Sequence, residues 1–153
     1  RVFPILILIL ATTFAGCEKK FDDAPFRCKI DGKEFTTTDD FLTATISGGN
    51  NFYIQATSTD GVNVFSNDPY GEIKFDVYVD NAGTYPLNLQ NTWRWSNNGE
   101  DTYRASGADA GTMVITSVDF TAKRITGTFS LTGYSDAGAT KTITEGFFDT
   151  NWN

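Results

Sequence analysis

Hydrophobic and polar residues alternate along most of this chain with a period of two, the spacing of a β-strand with one buried face and one wetted face. The pattern is strongest in the last third. Gly111-Thr112-Met113-Val114-Ile115-Thr116, Ile125-Thr126-Gly127-Thr128-Phe129-Ser130-Leu131 and Thr142-Ile143-Thr144-Glu145-Gly146-Phe147 are three runs rich in Thr, Ile, Val and Phe. Turn residues separate them, which predicts an antiparallel meander. In the middle run Ile125, Gly127, Phe129 and Leu131 are expected inward, with Thr126, Thr128, Ser130 and Thr132 outward. The missing side chain at Gly127 would let a neighbouring aromatic lie against the strand. In the last run Ile143 shares parity with Glu145 and Phe147, so a bulge is expected near Glu145-Gly146.

The earlier chain follows the same logic. Phe26-Arg27-Cys28-Lys29-Ile30 and Lys33-Glu34-Phe35-Thr36-Thr37 flank Asp31-Gly32, the pair favoured in a two-residue type I′ hairpin because both central residues need positive φ. Strands are expected at Leu42–Ile46, Phe52–Thr57, Gly61–Phe65, Ile73–Val79 and Thr84–Leu89, with Ile73, Phe75, Val77 and Val79 on one face. Pro86 places its segment at an edge or a strand start. Between Gln90 and Gly111 the pattern is least regular, and it reads as a hairpin carrying Trp93-Arg94-Trp95, a long polar tip and Tyr103. Beyond the N-terminal leader nothing shows helical periodicity. Roughly nine short strands with Gly and Asn turns predict an all-β antiparallel sandwich, with a closed barrel as the alternative.

The first 25 residues do not belong to this pattern. Arg1 precedes Val2-Phe3-Pro4-Ile5-Leu6-Ile7-Leu8-Ile9-Leu10, which runs on to Phe14-Ala15-Gly16-Cys17. An apolar run this short that ends in small residues reads as a secretory signal peptide rather than a membrane span. The chain does not open on methionine, and a start upstream of Arg1 fits that reading. Ala15-Gly16-Cys17 resembles the bacterial lipobox, with Phe14 where leucine is usual, and the resemblance implies a diacylglycerol on Cys17 as the mature N-terminus. The other reading is a free or disulfide-bonded Cys17 in an ordinary cleaved secretory protein. The expected organisation is a leader over 1–16, a lipidated tether over 17–25 and one β-domain over 26–153.

Composition narrows the chemistry. Of 153 residues 40% are hydrophobic and 14% aromatic, enough apolar surface for a single folded domain. The formal charge is -7, from 19 Asp and Glu against 12 Lys and Arg; such a surface repels phosphate backbones, so no nucleic-acid partner is expected. There is no histidine, which removes the usual general base and the commonest zinc ligand. With Cys17 acylated, Cys28 has no partner, and its alternation with Phe26 and Ile30 predicts a small buried hydrophobe rather than a reactive thiol.

Two constellations remain. Trp93 and Trp95 share parity, and Tyr103 falls across the expected hairpin, near Asn97, Asn98, Glu100 and Asp101. If exposed, these aromatics and polar groups would stack on and rim a sugar ring; if buried, they cap the core. Loop carboxylates at Asp39, Asp40, Asp60, Asp68, Asp80 and Asp109 lack the regular offsets of a calcium loop and read as solvated turn residues. Ser, Thr and Lys show no nucleophile-elbow or phosphate-loop spacing. No enzymatic activity, cofactor or metal is expected.

The lipobox, Cys28-Lys29-Ile30-Asp31-Gly32-Lys33-Glu34-Phe35, Gly83-Thr84-Tyr85-Pro86-Leu87 and the three closing strand motifs together resemble a family of uncharacterised β-rich lipoproteins of Bacteroidota. The resemblance implies the fold and an address in the cell envelope, on the outer membrane, with display at the cell surface as one orientation. It assigns no catalytic residue. The expected role is non-catalytic binding of an extracellular ligand such as a glycan through the Trp93 to Tyr103 region. The alternative is a structural or accessory subunit that docks another envelope protein by a sheet edge near Pro86 or the first hairpin.

Overall fold

A computed structural model describes residues 21–58, 71–87, 92–96, 102–105 and 110–153. The leader, Cys17, the expected strand at 61–65 and the hairpin tip with Asn97, Asn98, Glu100 and Asp101 lie outside these residues. Among the described residues no helix is long and apolar enough to cross a membrane.

Eleven strands form among the described residues, against roughly nine expected. They are β1 (Phe26–Ile30), β2 (Lys33–Thr37), β3 (Leu42–Ser47), β4 (Asn51–Thr57), β5 (Glu72–Tyr78), β6 (Gly83–Pro86), β7 (Thr92–Ser96), β8 (Tyr103–Arg104), β9 (Gly111–Asp119), β10 (Arg124–Ser135) and β11 (Thr140–Asn151). All pairings are antiparallel.

The ladder forks at β10. Over Arg124–Leu131 this strand pairs with β9, and at Tyr134 and Ser135 its end pairs with β8 on the way to a second layer. One layer therefore runs β2-β1-β11-β10-β9-β6, and the other runs β8-β7-β5-β4-β3. The two layers make a β-sandwich. It does not close into a barrel: β3 and β11 form no strand pair among the described residues, and their sides meet where Asn153 N donates to Ala44 O at 3.4 Å.

Local chemistry explains the joints. Asp31 and Gly32 sit at φ 49° and 79°, the positive values of a type I′ turn. Asp31 is also tied to β11: its carboxylate accepts from Thr142 N at 2.9 Å and pairs with Lys141 at 3.0 Å. Between β9 and β10, Asp119 accepts from the backbone of Thr121 and Ala122 at 2.8 Å each, an Asx-type turn.

The core lies between the layers. Ile73, Phe75, Val77 and Val79 are buried, as are Ile125, Phe129 and Leu131. Phe75 of one layer meets Phe129 and Phe26 of the other, with ring centroids 4.7 and 6.4 Å apart. A second aromatic group forms at one end, where Trp152 lies edge-on to Phe52 at 4.9 Å. Cys28 is wholly buried, as its alternation with Phe26 and Ile30 implies, and burial pushes its thiol well up from its ordinary range. The buried Thr37 hydroxyl donates to Thr57 O at 2.6 Å, so β2 is tied to the far layer without an orphaned polar group.

The bulge falls where parity requires it. Phe129 pairs with Gly146 and Leu131 with Ile143, so two steps on β10 face three on β11. Glu145 takes φ 53°. The extra residue moves the inward set from Ile143 to Gly146 and Phe148, leaving Glu145 and Phe147 outside.

Candidate functional site

The aromatic hairpin forms as the sequence implies. β7 pairs with β8, placing Trp95 opposite Tyr103, and with β5, placing Trp95 opposite Ile73 and Trp93 opposite Phe75. Directly opposed residues share a face of a sheet. Ile73 and Phe75 are wholly buried, so the register aligns the positions of Trp93 and Trp95 with the core face. Tyr103 is 9% exposed, which corrects its expected place on a stacking surface: it is packed among core residues, with Lys141 Nζ 5.8 Å from its ring.

The wetted face of the first layer carries a different site. On β11, Glu145, Phe147 and Asp149 point outward; on β10 their neighbours are Thr128, Thr126 and Arg124; on β1 they are Arg27 and Lys29. Arg27 lies opposite Phe147, and its guanidinium sits 4.0 Å from the ring centroid, a cation–π stack. Arg27 Nη1 also donates to Ala24 O at 3.2 Å. That bond holds the guanidinium beside the short 3-10 turn Phe21–Asp23 that precedes β1.

Two cross-strand pairs fix the rest. Arg124 grips Asp149 through two bonds of 2.7 and 2.5 Å, and Thr126 donates to the same carboxylate at 3.1 Å. The Arg124 bonds hold the Asp149 carboxyl below its usual range. Lys29 reaches Glu145 at 2.7 Å, and this bond raises the Lys29 ammonium above its usual range.

Between these groups a cleft of about 490 Å³ opens, lined by Asp22, Asp23, Arg27, Arg124, Phe147 and Asp149 among others. A second cleft of about 340 Å³ lies on the other side of Arg27 and Phe147, toward Val114, Thr128, Ser130 and Glu145. Such volumes suit a small ligand or part of a larger one. The lining offers planar donors and acceptors and one aromatic, which matches a hydroxyl-rich ligand better than an apolar one. A general acid needs a carboxyl raised above its usual range, and Asp149 is shifted the opposite way.

Sequence reasoning passed over this site. Arg27 appeared only as part of the first hairpin, and Phe147 only as a break in parity. The parity break was the available signal, because the bulge is what turns Phe147 outward.

The loop carboxylates behave differently. Asp39, Asp40 and Asp80 are exposed, and Asp80 accepts from Asn50 at 2.8 Å. Asp60, Asp68 and Asp109 lie outside the described residues. Among the described residues no group of three or more His, Cys, Asp or Glu is placed to hold a metal ion.

No curated protein and no solved structure matches the chain significantly. A family model does, over residues 22–150, a span that takes in both layers and the lining of both clefts except Asn151, and the chain belongs to that family, the domain of unknown function DUF6252.

Proposed function

We propose that this protein is a lipid-anchored module of the cell envelope, on the outer membrane and displayed outward, that binds an extracellular glycan without acting on it chemically. The anchor rests on the apolar leader and Ala15-Gly16-Cys17, as in the Bacteroidota lipoproteins that the chain resembles. The observation that carries the binding role is the cleft beside the stacked Arg27 and Phe147. The packing of Tyr103 among core residues favours this cleft over the aromatic hairpin as the binding surface.

Edge docking has less support. β6 is four residues long and ends in Pro86, and β2 presents Lys33 and Glu34. Proline, charge and shortness are the devices that keep sheet edges from pairing with other chains. On β3, the outer strand of the second layer among the described residues, the carbonyl of Ala44 already accepts from Asn153 N.

Five peptide units separate Cys17 from Asp22, a reach of at most about 18 Å. A lipid on Cys17 therefore keeps the cleft near the bilayer surface. The test uses the full chain in detergent over immobilised polysaccharides, with Phe147→Ala in parallel. Saturable retention on one polysaccharide, lost in a Phe147→Ala protein of unchanged circular dichroism, is expected. Retention on none, or retention indifferent to Phe147, overturns the reading. Metabolic labelling with palmitate checks the anchor, with incorporation expected in the wild type and absent from Cys17→Ser.

A further inference from the structure

The two clefts on the outer face are lined on their shared border by the same two side chains, Arg27 and Phe147. One arm follows β11 from Phe147 past Asp149 to Asn151, close to Arg124; the other crosses β10 at Thr128 and Ser130 to reach Thr112 and Val114 of β9. At about 3.4 Å per residue and about 4.8 Å per strand, the first arm is about 14 Å long and the second about 10 Å. The stacked pair stands where they meet.

Charge selects among extended ligands. The first cleft is lined by the carboxylates of Asp22, Asp23, Asp39 and Asp149 against the two guanidinium groups of Arg27 and Arg124. Arg124 is committed to Asp149, and Arg27 is stacked and bonded to Ala24 O. In the second cleft the carboxylate of Glu145 is paired with Lys29 at 2.7 Å. An anionic chain would meet net repulsion along the first arm and find no uncommitted cation among the described residues of the second. The neutral donors and acceptors that line the arms, Asn151, Thr128, Ser130 and Thr112, suit hydroxyl groups.

From this arrangement we infer that the outer face holds two subsites joined at Arg27 and Phe147, which together take an extended, uncharged saccharide chain rather than a single sugar. The inference rests on the glycan-binding reading above and specifies it. The bulge supplies the geometry: with Glu145 at φ 53°, Phe147 turns outward between the two arms. A regular strand would bury Phe147 and leave a flat polar face.

The experiment is calorimetric titration of the full chain in detergent. The probes are graded oligosaccharides, disaccharide to octasaccharide, cut from the polysaccharide retained in the panel, and a carboxylated form of the same chain. Affinity is expected to rise at least tenfold, in a step, once the oligosaccharide reaches both arms, and the carboxylated chain is expected to bind at least tenfold more weakly. Ser130→Tyr, at an exposed position of the second arm, should reduce the long-chain affinity to the short-chain level. Equal affinity at all lengths in the wild type overturns the two-subsite inference while leaving glycan binding intact. Carboxylated chains binding as tightly as neutral ones overturn the charge selection. Absence of binding at every length overturns the underlying reading and this inference with it.

Discussion

Phe147 and Phe148 are neighbours in the chain and opposites in the fold. Phe148 is wholly buried, its ring 6.3 Å from Phe129 and laid over Gly127. Phe147 is half-buried on the outer face beneath the guanidinium of Arg27. The same three strands thus present a packed inner face and a grooved outer one. The inner face is specified by shape, because close-packed interiors tolerate little change in volume. The outer face is specified by pairs of polar groups, Arg124 with Asp149 and Lys29 with Glu145, which water can partly replace. An inner residue should therefore matter for stability and an outer one for recognition.

The sharpest test exchanges the two phenylalanines for alanine. Phe148→Ala should cost about 3–5 kcal/mol, the usual range for a buried aromatic, and Phe147→Ala under about 1 kcal/mol, the scale of an exposed cation–π contact. Urea unfolding reads both. Similar losses from the two would mean that the outer face is packed as tightly as the inner one, and the contrast would fail.

A smaller effect is expected at Gly127. A Cβ there would lie 2.6 Å from Phe148 Cζ and 2.7 Å from the carbonyl oxygen of Val114. The ring can shift but the backbone oxygen is held in the ladder, so Gly127→Ala should cost about 1–3 kcal/mol as overpacking. An unchanged urea midpoint would show that Phe148 does not seal the inner face at that point.

The smallest effect belongs to the outer face and depends on pH. Asp149 has its folded-state carboxyl lowered by Arg124, so its contribution is present above the unfolded carboxylate value of about 3.9 and is lost as pH falls through the lower folded value. Arg124 is largely exposed, which keeps the contribution small. Asp149→Asn should therefore be slightly less stable than the wild type near neutrality and converge with it below about pH 4, as read from thermal midpoints across that range. A gap that persists into acid would place the role of Asp149 in packing rather than charge.

Much of this fold is legible residue by residue. Asp31-Gly32 specifies its turn because both residues must take positive φ. Alternation places Ile73, Phe75, Val77 and Val79 in the core without reference to any partner. Even the bulge is visible, since Ile143, Glu145 and Phe147 cannot all be buried without stranding a carboxylate in the core. The site was far less legible. Trp93-Arg94-Trp95 looks the same to a period-two rule whichever face it presents, and only the tertiary pairing sets Trp95 opposite Ile73 and Trp93 opposite Phe75.

Alternation is a local property, dictated by side-chain polarity and backbone geometry over a few residues, so the sequence by itself determined the strands, most of their inward faces and the turns that join them. Pairing is not local. That β1 lies against β11, with Phe26 opposite Phe148, and that β10 forks to serve two layers depend on which distant surfaces fit once the core closes. The groove is assembled from the turn before β1, the start of β10 and the end of β11. Residues that far apart along the chain are brought together by burial on the opposite face of the same strands, and only the tertiary structure places them side by side.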